Sequence, residues 1–492
     1  MRSRFKQQLS LGIVPIAEVA MPLRSRDGLP PILAGLQRIF VTPELIEAAF
    51  GLIEKCIYGD SPGRQSIGRP GMDLWEVLVL GVVRLGTDSD WDSLLLMANY
   101  HSLLRGILGV EGGFGSARKE YRRQTLVDNV SLLDEATING INALVVGEGH
   151  RILKKKGAQG LEVKADTFVL ESSIHWPTDT GLLWDASRKC VGIMSFLSQR
   201  HGFTGWRKAG DWCRRLKSAE RAVSRAFRLR GEGKLGGIAA AALHYTRLAA
   251  VLEAKVAKAL PALETLFRTT EVAEKHKRIA YFHEMLAKHL DIVNRRLLDG
   301  EKIPQSEKLF SIFQPMVQWI SKGKDGKHVE FGHNMLVARD EHGFILLHEV
   351  VAKADDRDLA VPFTSRLAEK YTLKSLSFDR GFYSRANKEA IAPMVGVLVM
   401  PKKGKLSAAD RQEEGTRQFK ALRKRHSAVE SSINQLEHNG LNRCPDIGFE
   451  AFKRYAALGV LSCNLHRLGS ILLGREREKQ AQAPPRTLSK AA

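Results

Sequence analysis

Two apolar segments, far apart in the chain, each hold one aspartate where burial should exclude it. The first is Val163-Lys164-Ala165-Asp166-Thr167-Phe168-Val169-Leu170; the second is Ser375-Leu376-Ser377-Phe378-Asp379-Arg380-Gly381-Phe382-Tyr383-Ser384. Both read as β-strands, with Asp166 inside one and Asp379 at the C-terminal end of the other. In the first strand Phe168 and Leu170 share one parity, and Val163, Ala165 and Val169 the other. That pattern predicts a strand covered on both faces. An unneutralised carboxylate there costs roughly several kcal/mol. A fold built on these strands must therefore give the acids a partner.

The elements around the two strands define an order. Residues ~1–150 read as helical. Thr42-Pro43-Glu44 sets an N-cap and N1 proline ahead of Leu45, Ile46, Phe50, Ile53 and Ile57. Asp73 caps an apolar run through Leu74, Val77, Leu78, Leu80, Val82 and Val83 that is expected to be buried all round. Short helices with tight turns suit a helix-turn-helix DNA-binding domain, and a plain helical bundle equally. Helical pattern returns over ~185–300. Phe331–Arg339 and Gly343–Val351, joined by Asp340-Glu341-His342, read as a hairpin. A helix near 361–370, the strand to Asp379, a helix from Ser384 and the strand Val395–Met400 follow. With the helical block set aside the order is β, β-hairpin, α, β, α, β, α, the element order of an RNase H-like α/β domain. Asp166 falls on its first strand, Asp379 at the end of its fourth, and Glu430 on the helix after its fifth. The expected organisation is a helical N-terminal DNA-binding domain over 1–155, the catalytic domain over 156–184 and 325–475, a helical basic insertion over 185–324, and a disordered tail over 476–492.

Charge narrows the partner. The chain of 492 residues carries 75 Lys and Arg against 54 Asp and Glu, a net charge of +21. Such an excess draws polyanions, because phosphate contacts release condensed counterions. A membrane-surface protein is the competitor, but the charge is spread along the chain instead of forming one polybasic tract. No apolar run approaches the ~18 residues of a membrane span, and Leu9–Ala17, followed by Glu18, does not read as a secretory signal. Cys56, Cys190, Cys213, Cys444 and Cys463 are scattered, with no CxxC pair. They indicate neither a disulfide framework nor a zinc knuckle, and a reducing cytoplasm fits.

Carboxylates on rigid elements supply both negative charge and hard oxygens, the donor type that suits two Mg²⁺ or Mn²⁺ ions. Two ions ~3.5–4 Å apart serve in-line displacement at phosphorus. Each acid also has an ordinary explanation. Asp166 can pair with a buried Arg or Lys. Asp379, before Gly381, can be a turn aspartate. Ser427-Ala428-Val429-Glu430 matches a capping box, in which Glu430 only closes on the Ser427 amide.

Taken together, the blocks resemble bacterial insertion-sequence transposases of the DDE type, nearest to the unclassified set labelled ISNCY. Gly68-Arg69-Pro70 with Met72-Asp73 is similar to their N-terminal domain. Asp166-Thr167 with Ile174-His175-Trp176-Pro177-Thr178-Asp179 resembles the first catalytic block, the segment from Phe331-Gly332-His333 to Gly343-Phe344 the hairpin block, Asp379–Ser384 the second catalytic block, and His426–Glu430 the third. The resemblance implies that Asp166, Asp379 and Glu430 bind the metals. It implies cut-and-paste or related strand transfer on double-stranded DNA at terminal inverted repeats, by a homodimer that synapses two ends. Of the related Tyr-x2-Arg-x3-Glu-x6-Lys pattern only Glu430 is kept; Arg423, His426 and Glu437 stand at the other positions.

Candidate DNA contacts are Arg69 in the N-terminal region, Arg207, Lys208, Arg214 and Arg215 in the basic stretch of 206–230, and Lys402, Lys403, Arg423, Arg425 and His426 flanking the acids. Trp206 or Trp212 can stack an unpaired base, or pack in a core. His333 can approach a phosphate, or lie on the surface as a free imidazole. The competing readings of function are an RNase H-like nuclease without strand transfer, and a DNA-binding protein with a retired active site.

Overall fold

The computed structural model describes residues 2–5, 13–59, 71–111, 118–153, 160–202, 204–264, 270–321, 329–352 and 354–482. The chain forms two compact units, Met1–Ser173 with Ile320–Ala492, and Ile174–Trp319.

The first unit is mixed α/β around one sheet of seven strands. These are β1 (Leu161–Ser172), β2 (Gln318–Ser321), β3 (Val329–Arg339), β4 (Ile345–Val351), β5 (Leu373–Ser377), β6 (Leu398–Val399) and β7 (Arg443–Cys444). The principal order is β4-β3-β1-β5-β6, with β2 also on β3 and β7 also on β1. β1 runs antiparallel to β3 and parallel to β5, β3 antiparallel to β4, and β5 parallel to β6. This mixed sheet is consistent with the RNase H-like expectation. The hairpin forms where the sequence places it. Asp340 ties its turn, accepting the amides of His342 (2.8 Å) and Phe344 (2.9 Å) and meeting His150 Nε2 at 2.6 Å.

Before β1 the described elements are helices and one short 3₁₀ turn. The helix Leu74–Gly86 is buried at every position, and Asp73 and Glu76 close a capping box at its start. Apolar side chains on all sides left it no surface to expose. The helices Leu29–Phe40, Glu135–Ile152 and Phe449–Gln482 share one apolar core with the sheet. A buried amide network fastens that joint. Asn464 accepts the amide of Ile345 (2.8 Å), and donates to the Ile345 carbonyl (2.8 Å) and to Asn142 Oδ1 (2.7 Å). Gly469 permits the closest helix crossing, because a Cβ there would lie 1.7 Å from the Pro31 carbonyl oxygen. The last helix runs through residues 476–482 of the expected tail; 483 onward lies outside the described residues.

The second unit contains the helices Asp179–His201, Ala209–Ala226, Lys234–Glu264 and Thr270–Leu297. Leu183, Met194, Leu216, Val223, Tyr245 and Leu252 are among its buried core. Two helices are long and apolar enough to cross a membrane, Lys234–Glu264 and Phe449–Gln482. The sequence reading missed both because charged residues interrupt their apolar runs. The apolar window of the second is 72% buried within the fold, as in a core helix.

Candidate active site

Strand register places the first two acids side by side. Lys164 of β1 pairs with Ser377 of parallel β5. Two residues further along each chain, past the last paired positions, stand Asp166 and Asp379. Beyond Lys164 this edge of β1 has no strand partner among the described residues until Glu171 meets Arg443 of β7. The helix Ala428–Leu436 packs against β1 and β3 and carries Glu430 in its first turn. The site therefore lies where β1 and β5 part, beyond the carboxyl end of β5, a usual ligand position in open α/β sheets.

The ordinary explanations fail for Asp166 and Glu430, while Asp379 does open a turn, its carbonyl accepting the Phe382 amide at 3.3 Å. Asp166 is half-buried and has no ion-pair partner among the described residues; its Oδ1 accepts only the Thr167 amide, at 2.8 Å. Asp379 is exposed and precedes the turn Arg380–Phe382, yet its side chain makes no capping bond. Glu430 is exposed too, and no capping box forms: the Ser427 hydroxyl donates to the Lys424 carbonyl at 3.2 Å instead.

A fourth carboxylate completes the cluster. Asp356, in the first turn of the helix Asp356–Lys370, accepts the Thr167 hydroxyl at 3.1 Å. Its Oδ2 lies 3.1 Å from where a Cβ at Gly381 would sit, so glycine leaves that approach open. Sequence reading missed Asp356 because Asp355-Asp356-Arg357-Asp358 looks like ordinary acidic residues at a helix N-terminus. Burial, with the charges of Asp379, Asp356 and Glu430, pushes the Asp166 carboxyl up to about 6. Burial likewise raises Asp356, although the Thr167 hydroxyl opposes the rise.

These side chains fit a divalent cation by chemistry: hard, anionic oxygens that lack a protein counter-charge. Among the described residues, however, no three His, Cys, Asp or Glu side chains converge closely enough to hold one ion.

Residues 294–465 match the family model described as "Transposase DDE domain". No curated protein and no solved structure matches the chain. The family match supports a DDE transposase. It includes β2 to β7, and with them Asp379 and Glu430; Asp166 lies outside it, on β1, which is held between β3 and β5.

Cations flank the acids. Several are already engaged: Lys402 with Asp410 (2.6 Å), Arg423 with Glu414 (3.7 Å) and Arg425 with Glu162 (3.0 Å). Lys403 is exposed with no partner among the described residues. His426 turns inward, its Nδ1 2.9 Å from Ser377 Oγ and its Nε2 buried without a hydrogen bond among the described residues. Burial holds its pKa below the usual value, while Asp379 and Glu430 pull upward. Its place is beside the acids and not on an outward phosphate-binding surface. His333 is 2% exposed against Phe449 and Phe452, and burial drives its pKa down to about 4, so it is neither a surface imidazole nor a phosphate contact. Trp206 is 2% exposed within the second unit's core, with Lys255 Nζ 4.6 Å from the ring centre. A ring so packed cannot stack a base, which corrects that expectation. Arg207, Lys208, Arg214 and Arg215 are exposed. Arg69 lies outside the described residues.

Proposed function

We propose that the protein is a DNA transposase that cleaves transposon ends and transfers the freed strand at terminal inverted repeats. Asp166, Asp379 and Glu430 are its metal ligands. The single observation that carries this reading is that Asp166, half-buried in β1 without a counter-charge among the described residues, is pushed up to about 6 by burial and by the charges of Asp379, Asp356 and Glu430. Two Mg²⁺ or Mn²⁺ ions, when bound, would polarise the scissile phosphate and offset the charge that develops on its oxygens. Asp379 and Glu430 are exposed, so their side chains can rotate on the ps–ns timescale. Cation binding would draw the three acids together.

In this reading a water attacks the phosphodiester at the element's end and leaves a 3′-hydroxyl, which then attacks a target phosphodiester and displaces a second 3′-oxygen. The protein's own part is to orient the reacting phosphate and keep the acids deprotonated. The helices between β1 and β3 form an insertion in an RNase H-like catalytic domain, the N-terminal helices recognise the ends, and a homodimer brings two ends together. Such an enzyme works in the cytoplasm, at the nucleoid.

Strand transfer of a labelled end oligonucleotide in Mg²⁺ tests the proposal. Wild type should join label to target DNA, and Asp166→Ala should not. Joining that survives Asp166→Ala overturns the assignment. Hydrolysis without joining identifies a nuclease, and EDTA-insensitive binding without cleavage identifies a protein with a retired site.

A further inference from the structure

The helix Ala209–Ala226 carries a stripe of cations on one face. Arg214, Lys217, Arg221 and Arg225 recur at three- and four-residue spacing, which stacks them along one side. At 1.5 Å per residue the stripe is ~16 Å long. With Trp184 and Ser218 they line a groove of about 430 Å³ that contains no carboxylate. Lys217 Nζ stands 5.3 Å from the centre of the Trp184 ring, which fixes its stem across the floor.

The stripe is only partly neutralised. Lys217 reaches Glu220 at 2.7 Å, and Arg214 meets Asp211 at 3.4 Å. Arg214 is 81% exposed in that contact, a setting in which ion pairs contribute little. Arg221 and Arg225 are exposed and have no partner among the described residues. Like charges at four-residue spacing destabilise a helix by ~0.2–0.5 kcal/mol per pair. A lone phosphate could engage one or two of these forks, but it cannot span the stripe. A chain of phosphates can, and guanidinium forks match phosphate oxygens in pairs.

We propose that this groove binds the sugar-phosphate backbone of duplex DNA, with Arg214, Arg221 and Arg225 each on a phosphate. The transposase reading supplies only the choice of DNA as the polyanion; the groove itself is independent of the acidic site.

The test is fluorescence anisotropy of full-length protein with a labelled duplex of arbitrary sequence, in EDTA, across a salt series. Removing one arginine–phosphate pair should make the slope of log K against log salt shallower by ~0.9. Arg214→Gln/Arg221→Gln/Arg225→Gln should therefore flatten the slope by ~2.7 and weaken binding at least ~10-fold at low salt. Lysine at the same three positions should restore the slope, which separates charge from folding. The single variants Arg221→Gln and Arg225→Gln should each flatten it by about one such step. An unchanged slope in the triple glutamine variant, or displacement of the duplex by inorganic phosphate at equal ionic strength, overturns the proposal. Strand joining by Asp166→Ala in Mg²⁺ and the salt slope of the triple glutamine variant in EDTA report on the two proposals separately.

Discussion

Two like-charged clusters of opposite sign sit on different kinds of scaffold. Asp166, Asp379, Glu430 and Asp356 gather negative charge around the parting of β1 and β5. Arg214, Lys217, Arg221 and Arg225 gather positive charge along one face of a helix. Each lacks part of its counter-charge within the fold, and each is a local cost until a ligand supplies it. The acids have short side chains on or beside sheet strands, which limits where a cation can sit. The cations have long stems on a solvent-facing helix, which can follow a strand of phosphates without fixing any one atom closely. Short stems gathered beside a sheet suit chemistry; long stems along a helix suit affinity.

Charge-neutral substitutions separate the two roles, and the largest effect belongs to the acids. Asp379→Asn should lower strand joining by on the order of 10³-fold, the loss of several kcal/mol of charge stabilisation at the reacting phosphate. Its duplex affinity in EDTA should be unchanged within about two-fold, since Asp379 is not asked to hold the DNA backbone. A fall in affinity that matches the fall in joining would make the acids part of a binding surface instead. Within the second unit, Trp206→Ala should cost ~3–5 kcal/mol of unfolding free energy, as for a large buried ring. Arg221→Gln should cost under ~0.5 kcal/mol. Urea titration measures both, and a mild Trp206→Ala would return that ring to the candidates for base stacking.

The metal-free acidic cluster should register as strain. The folded Asp166 carboxyl, at about 6, lies above its ordinary 3.8. The folded chain thus holds that proton more tightly than the unfolded one. Stability contributed by this group grows as pH falls through 6 toward 4, and is lost as pH rises through 6. The shift corresponds to ~3 kcal/mol at most, and partial exposure reduces it to ~1–2 kcal/mol. Asp166→Asn should therefore stabilise the metal-free protein by about that much at pH 7.5, with the gain vanishing near pH 4. Subtracting the two urea stability curves isolates the effect from the buried histidines. A destabilised Asp166→Asn at pH 7.5 would mean that the carboxylate has a partner in the fold.

Much of this was legible in the sequence, for identifiable reasons. The strands around Asp166 and Asp379 and the hairpin at Asp340 announced themselves through β-branched and aromatic runs bounded by turn residues. The helix Leu74–Gly86 announced itself through a cap and an all-apolar surface. What stayed hidden depended on tertiary placement. Trp206 lies beside Arg207 and Lys208 in sequence but is buried, on the connection just before the helix Ala209–Ala226, where no periodicity tells which side chains face the core. His333 looked like a surface residue at a strand's start, yet two phenylalanines of the last helix cover it. Asp356 became visible only when Thr167 of a distant strand reached it. A local pattern also misled: Ser427 and Glu430 have capping-box spacing without capping-box bonds.

That last case gives the smallest and sharpest test, because the chain contains a true capping box close by. At the helix Ala408–Gly415 the Ser407 hydroxyl accepts the Asp410 amide at 3.1 Å, and Asp410 accepts the Ser407 amide at 2.9 Å. Ser407→Ala should cost ~1 kcal/mol, the usual value of an N-cap. Ser427 supports no such pair, since its hydroxyl points back to the Lys424 carbonyl. Ser427→Ala should therefore stay within ~0.5 kcal/mol of wild type. Urea unfolding of the two variants, side by side in EDTA, measures the difference. If Ser427→Ala costs as much as Ser407→Ala, Glu430 is occupied in closing its own helix and is not free to face Asp166. If it costs nothing, the glutamate's position at the start of that helix has no local explanation, and the carboxylates across the gap supply the remaining one.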